Sequence, residues 1–150
     1  MTPFITAGAG FLLAVLWFDL MHDVQVLKKP GPELPEGVLA SIAGYYRRVT
    51  RDARPMNRLV AVAMLATLAA IVTEIARDET PGWVAWTSLA LAAVPILLAS
   101  TRTVPNAVRL GGRDDSSETQ SRLARSICHD HLGCLASIAA LLVVQLASGR

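Results

Sequence analysis

The chain has 150 residues, 53% hydrophobic and 17% charged, with a formal net charge of +2. So few charges, with a mean hydropathy of +0.44, argue against a soluble globular domain. Two cysteines exclude a disulfide framework. The basic residues sit beside apolar runs, which makes anionic lipid headgroups the nearer partner and argues against nucleic acid.

Four apolar runs, 4–27, 56–76, 83–103 and 127–147, are each long enough to cross a bilayer, for which about 20 residues are needed. They use most of the chain, so residues 1–150 read as a single membrane domain. The predicted fold class is all-α, an integral membrane four-helix bundle. The first run reads as a retained span, not a cleavable signal: no Lys or Arg precedes Lys28, and Asp and His lie within it.

In that run, Asp19, His22 and Asp23 stand three and four residues apart and share one helix face. A charge near the bilayer centre costs roughly 2.5–3.5 kcal/mol on insertion scales, so partners are expected. Asp19 lies eight residues before Leu27, ~12 Å deeper along the helix axis. The prolines and glycines of 28–37 then stop the helix. Between 38 and 51, Val38, Leu39, Ile42, Ala43, Tyr45, Tyr46 and Val49 recur at helical spacing, with Arg47, Arg48 and Arg51 elsewhere. This predicts a short amphipathic interfacial helix between spans 1 and 2, with its tyrosines at headgroup depth. Pro55 opens the second span.

The connection 77–82 is a tight helical hairpin, followed by Trp83 and Trp86 at the interface. Pro95 interrupts the third span. Asn106 follows Pro105 in a polar connection of about 104–121 that reads as a loop. Cys128, His129, Asp130 and His131 open the fourth run. Cys128 and Cys134 are ~9 Å apart on a helix, too far to pair with each other. His129 and His131 are about 200° apart around the helix, so one faces the bundle and the other the headgroups.

If the spans alternate, 12 of the 14 Lys and Arg fall on one face, and only Arg77 and Arg150 on the other. The positive-inside rule then places the basic connections in the cytoplasm and both termini outside, in the plasma membrane of a bacterium-like cell. This topology gathers Asp19, His22, Asp23, Asn106, His129 and His131 at the cytoplasmic end. Arg54, Arg58 and Arg102 lie there too, as candidate structural partners for the carboxylates. The outer half offers only Glu74.

Two chemistries suit such a constellation. Asp19, His22, Asp23, His129 and His131 are candidate ligands for a divalent transition metal such as iron, copper or zinc. Alternatively, no metal is bound and a buried Asp–His pair works as general base.

The Tyr45-Tyr46-Arg47 helix, Pro105-Asn106 after the third span and His131 at the start of the fourth resemble the anthrone-oxygenase-like family of small four-span membrane proteins. Arg125, Ser126 and Ile127 stand where that family carries a tryptophan before the histidine, and Cys134 replaces an arginine after it. The resemblance implies oxidation of a small lipophilic aromatic by dioxygen; the Asp19, His22 and Asp23 cluster is not part of that family's pattern. Read from the residues themselves, a membrane oxidoreductase would have Asp19 or His131 take a proton, or hold a metal with His22 and Asp23, and Asn106 orient the substrate or its oxyanion. The competing expectation is a non-catalytic bundle that binds a lipid, quinone or haem-like ligand, or serves as a small subunit of a larger membrane complex. A homo-oligomer fits either. A proton or ion pathway is a third reading, disfavoured by the lack of a polar track in the outer half.

Overall fold

The computed structural model describes residues 1–148, without the side chains of Arg54 and Met56. Among the described residues there are helices and turns and no strand. Six α-helices follow in order: α1 Thr2–Asp23, α2 Glu36–Arg47, α3 Arg54–Ala76, α4 Gly82–Leu98, α5 Val104–Gly112 and α6 Ser117–Ser148. A 3-10 turn, Val24–Val26, extends α1. π-helical turns, Arg48–Asp52 and Ala99–Thr103, join α2 to α3 and α4 to α5.

Proline and glycine set many of the boundaries. Proline lies in the first turn of α1, α3 and α5, where a missing N–H costs nothing and φ is preset. Pro95 lies within α4. It cannot donate to the Leu91 carbonyl, and Ser137 Oγ of α6 donates to that oxygen instead, at 2.9 Å. The chain does not stop there. It continues through the π-helical turn into α5, so the helical run reaches Gly112.

Four helical segments, Thr2–Val26, Asn57–Ala76, Gly82–Gly112 and Ser117–Ser148, are long and apolar enough to cross a membrane. Helix α1 packs on α3 and α6, and α4 packs on the same two. The outward faces of these helices carry exposed apolar side chains, among them Phe4, Trp17, Leu65, Trp86, Leu97 and Val143. Polar residues turn inward: Asp23 and Gln145 are fully buried and Glu74 is 1% exposed. That is the reverse of a water-soluble protein, in which buried charge is rare and large apolar patches are covered.

There are two cores. One, between the long helices, contains Ile5, Ala9, Leu12, Ile71, Ile138 and Leu141. Gly8 lets α1 and α3 approach closely, because a Cβ there would lie 2.0 Å from Thr67 Oγ1. The second core closes one end, where Leu39, Ile42 and Tyr46 of α2 meet Leu110 of α5 and Ile127 of α6.

The connection at 104–121, expected as a polar loop, is mostly helical. Ala107, Leu110 and Gly111 form a buried face of α5 against α2, and α6 begins at Ser117, well before its apolar run. The polar sequence has enough apolar side chains at helical spacing to cover α2 with one face. The Pro-Gly-Pro connection before α2 is pinned to α6: Ser121 Oγ accepts the Leu34 N–H at 2.9 Å, and the Arg125 guanidinium donates to the Lys29 and Gly31 carbonyls.

Candidate functional site

The last two turns of α1 put Asp19, His22 and Asp23 on the face toward α2 and α6. The chain then folds back, so that α2 carries its adjacent tyrosines across the end of α1. The Tyr46 hydroxyl donates to Asp23 Oδ1 and the Tyr45 hydroxyl to Asp19 Oδ1, both at 2.6 Å. His131, on α6, completes the group: its Nδ1 lies 2.6 Å from Asp23 Oδ2 and its Nε2 3.9 Å from Asp19 Oδ2. The two clusters, 108 residues apart in sequence, therefore meet.

The carboxylates' partners differ from those expected. Arg102 pairs with Asp130 at 3.3 Å, and Thr103 donates to the same Asp130 oxygen at 3.2 Å. Among the described residues Arg58 makes no ion pair with Asp19 or Asp23; the Arg54 side chain lies outside the description. Two phenols and an imidazole do the work assigned to arginines. Tyrosine and histidine satisfy a buried carboxylate without bringing a second full charge out of water, whereas arginine would add its own desolvation cost.

The tyrosines, expected at headgroup depth, turn their hydroxyls onto protein carboxylates. Tyr46 is 2% exposed and Tyr45 is half-buried. Burial first, and the neighbouring carboxylates second, push both phenols above the ordinary tyrosine range. Both stay protonated as donors throughout the physiological range. The helical period of α2 carries the signal that exposes this role, since Tyr46 continues the buried stripe of Leu39, Ile42 and Ala43. A buried tyrosine hydroxyl needs an acceptor.

His22 stands one layer out. Its ring stacks on Tyr45, with centroids 3.9 Å apart and planes 10° apart, and its Nδ1 bonds the Phe18 carbonyl at 3.2 Å. His129 is exposed, with Nδ1 on the Arg125 carbonyl at 2.8 Å. It faces away from the group that His131 joins, as the angular offset requires. Asn106 is half-buried on α5 and does not line the cavity described next. Among the described residues no group of three or more His, Cys, Asp and Glu side chains is placed to hold a metal ion. Cys128 and Cys134 are buried free thiols.

A cavity of about 450 Å³ adjoins the group. Leu12, Leu16, Val60, Met64, Ile96 and Ile138 supply much of its apolar wall, while Asp19, His22, Tyr45, Tyr46 and His131 form a polar end. Such a shape, largely apolar with a few convergent polar groups, is typical of a small-molecule site. The carboxylate–imidazole pair at its end can hold one histidine tautomer and move a proton.

The opposite end of the long helices contains a second buried polar group. Gln145 donates to Ser88 Oγ at 2.9 Å and to Glu74 Oε2 at 3.4 Å, and Thr2 donates to Glu74 Oε1 at 3.3 Å. Glu74 thus has partners on two other helices, α1 and α6, where the sequence alone shows it isolated. None of Thr2, Glu74, Ser88 and Gln145 lines the cavity that adjoins the His131 group.

Comparison with family models, with curated proteins and with solved structures gives no match.

Proposed function

We propose that this chain is an integral membrane four-helix bundle that acts as an oxygenase-type oxidoreductase on a small lipophilic aromatic molecule held in the cavity. The observation that carries the reading is the His131 ring, fixed by Asp23 and facing Asp19 at the polar end of an apolar chamber. A carboxylate accepts, so its hydrogen bond assigns the proton of the neutral ring to Nδ1 and leaves the Nε2 lone pair as base. Asp19 lies close enough to favour the imidazolium that forms. Tyr45 and Tyr46 hold both carboxylates in place.

The bilayer is the first partner. With the basic residues on the cytoplasmic side and both termini outside, α2 lies along the inner surface of the plasma membrane as an interfacial helix. The cavity then opens within reach of the cytoplasmic leaflet, where a lipophile is concentrated. The likeness of Tyr45-Tyr46-Arg47, Pro105-Asn106 and His131 to anthrone-oxygenase-like sequences adds the oxidant. Removal of a proton from the acidic ring carbon of an anthrone gives an anion that reacts with dioxygen. Loss of one water from the resulting hydroperoxide leaves the quinone, so one anthrone and one dioxygen give one anthraquinone and one water. His131 takes the proton in the first step and Asp19 offsets its charge.

The test uses purified protein in maltoside micelles with anthrone, following oxygen uptake and quinone absorbance. Turnover above the micelle blank is expected, falling at least about 100-fold in His131→Gln with anthrone binding retained. Binding without turnover in the wild type would replace this reading with the non-catalytic binder, which the apolar lining also suits. No binding at all would remove both.

A further inference from the structure

A second, polar pocket shares a wall with the cavity. It measures about 310 Å³ and is lined by His22, Ser41, Tyr45, Arg47, Arg48 and Asp52, together with Gly44. His22, Tyr45 and Arg48 line both spaces. A cationic, hydrogen-bonding chamber therefore abuts an apolar one, with only the stacked His22–Tyr45 pair and one arginine between them.

The charge in the polar chamber is available. Arg47 and Arg48 are exposed, and the arginine ion pairs nearby use Arg102, Arg109 and Arg113 instead. Asp52 is the one carboxylate in the lining, set against two guanidinium groups. Ser41 and His22 add hydrogen-bonding atoms; with His22 Nδ1 on the Phe18 carbonyl, its Nε2 is the free nitrogen. Guanidinium forks paired with a hydroxyl and an imidazole match a phosphate group, with several oxygens to bond and charge to neutralise.

We infer that the two pockets hold one amphiphile, a lipid phosphate whose anionic head lies against Arg47, Arg48 and Ser41 while its apolar part enters the cavity beside His131. This rests on the reading of the cavity as a lipophile site, not on the anthrone chemistry, and names a ligand class for it. The arginines anchor the head at the cytoplasmic surface, and the apolar part lies in the adjoining chamber, past the edge that His22, Tyr45 and Arg48 give to both spaces. A cationic or uncharged head gains nothing from this arrangement.

The test is equilibrium binding of radiolabelled decyl phosphate, decanol and decyltrimethylammonium to the protein in maltoside micelles, corrected for partition into empty micelles. Decyl phosphate is expected to bind at least about tenfold tighter than decanol, with decyltrimethylammonium weakest. Arg47→Gln, at a residue that lines the polar pocket and not the cavity, weakens decyl phosphate several-fold and leaves decanol unchanged. Met64→Trp, or Val60→Phe should that variant fail to fold, weakens all three by filling the cavity. Equal affinity for decyl phosphate and decanol in the wild type overturns the inference while the lipophile reading stands. Loss of decanol binding from the wild type sinks the lipophile reading itself. Inorganic phosphate that displaces decyl phosphate at equal concentration would show a free-phosphate site and also overturn the inference.

Discussion

Asp23 is a fully buried carboxylate, and its two oxygens are matched by Tyr46 and His131. Removing a donor to a buried acceptor costs about 1–3 kcal/mol, so Tyr46→Phe should lower stability by that order, read by thermal unfolding in detergent. The same variant has a pH signature. The folded phenol is raised from its ordinary value of 10.0 by burial and by Asp23, so folding favours the protonated form. That contribution is complete below pH 10, the unfolded value, and declines as pH rises toward the folded one. The wild type should therefore lose stability more steeply above pH 10 than Tyr46→Phe, and parallel alkaline limbs would refute the buried hydrogen bond. Asp23→Leu removes the acceptor for both partners at once, and should destabilise the protein more than Asp19→Leu, whose carboxylate is partly exposed.

The helices meet where side chains are smallest. At the α2–α5 contact, a Cβ on Gly111 would lie 2.9 Å from the backbone nitrogen of Arg47, an atom that cannot swing aside. Gly111→Val should cost on the order of 1–3 kcal/mol by overpacking, and should displace α2. Because α2 carries both tyrosines, the effect reaches His131 indirectly: binding of a cavity lipophile should weaken although no lining residue has changed. A Gly111→Val protein with wild-type lipophile affinity would show that α2 placement does not depend on this contact. The period of α2 is legible in the sequence and sets Tyr46 on its apolar stripe, but a period fixes a stripe and not the partner that covers it. The α5 segment reads as a loop because Gly111 and Gly112 lower helix propensity. The contact with α2, which needs the missing Cβ, overrides that preference.

Viewed whole, the molecule exposes apolar side chains along its long helices and buries a few polar groups in a mainly apolar interior, with ionisable groups at both ends of the helices and a chamber near one of them. The strong asymmetry of Lys and Arg predicts how it sits in a membrane. Arg77→Cys and Ser116→Cys place single exposed thiols on opposite connections, since the native cysteines are buried. On intact cells, a membrane-impermeant maleimide should label Arg77→Cys and leave Ser116→Cys unmodified until the cells are opened. The opposite pattern would invert the topology and move the polar pocket of Arg47 and Arg48 to the outer leaflet.

The four long apolar helices, their order and the charge bias were determined by the sequence itself, because each is a local property: run length against bilayer thickness, or proline at a helix start. Asp19, Asp23 and His131 were legible as candidates for the same reason, since an ionisable residue in an apolar run has to find a partner. Which partner it found was decided only in three dimensions. Nothing local tells that α2 folds back to bring Tyr45 and Tyr46 onto two carboxylates, that Arg102 goes to Asp130, or that Gln145 and Thr2 reach Glu74. Each of those pairs joins residues from different helices, and helix packing, set by contacts such as Gly8 on Thr67 and Gly111 on Arg47, selects among the many partners that the sequence leaves open.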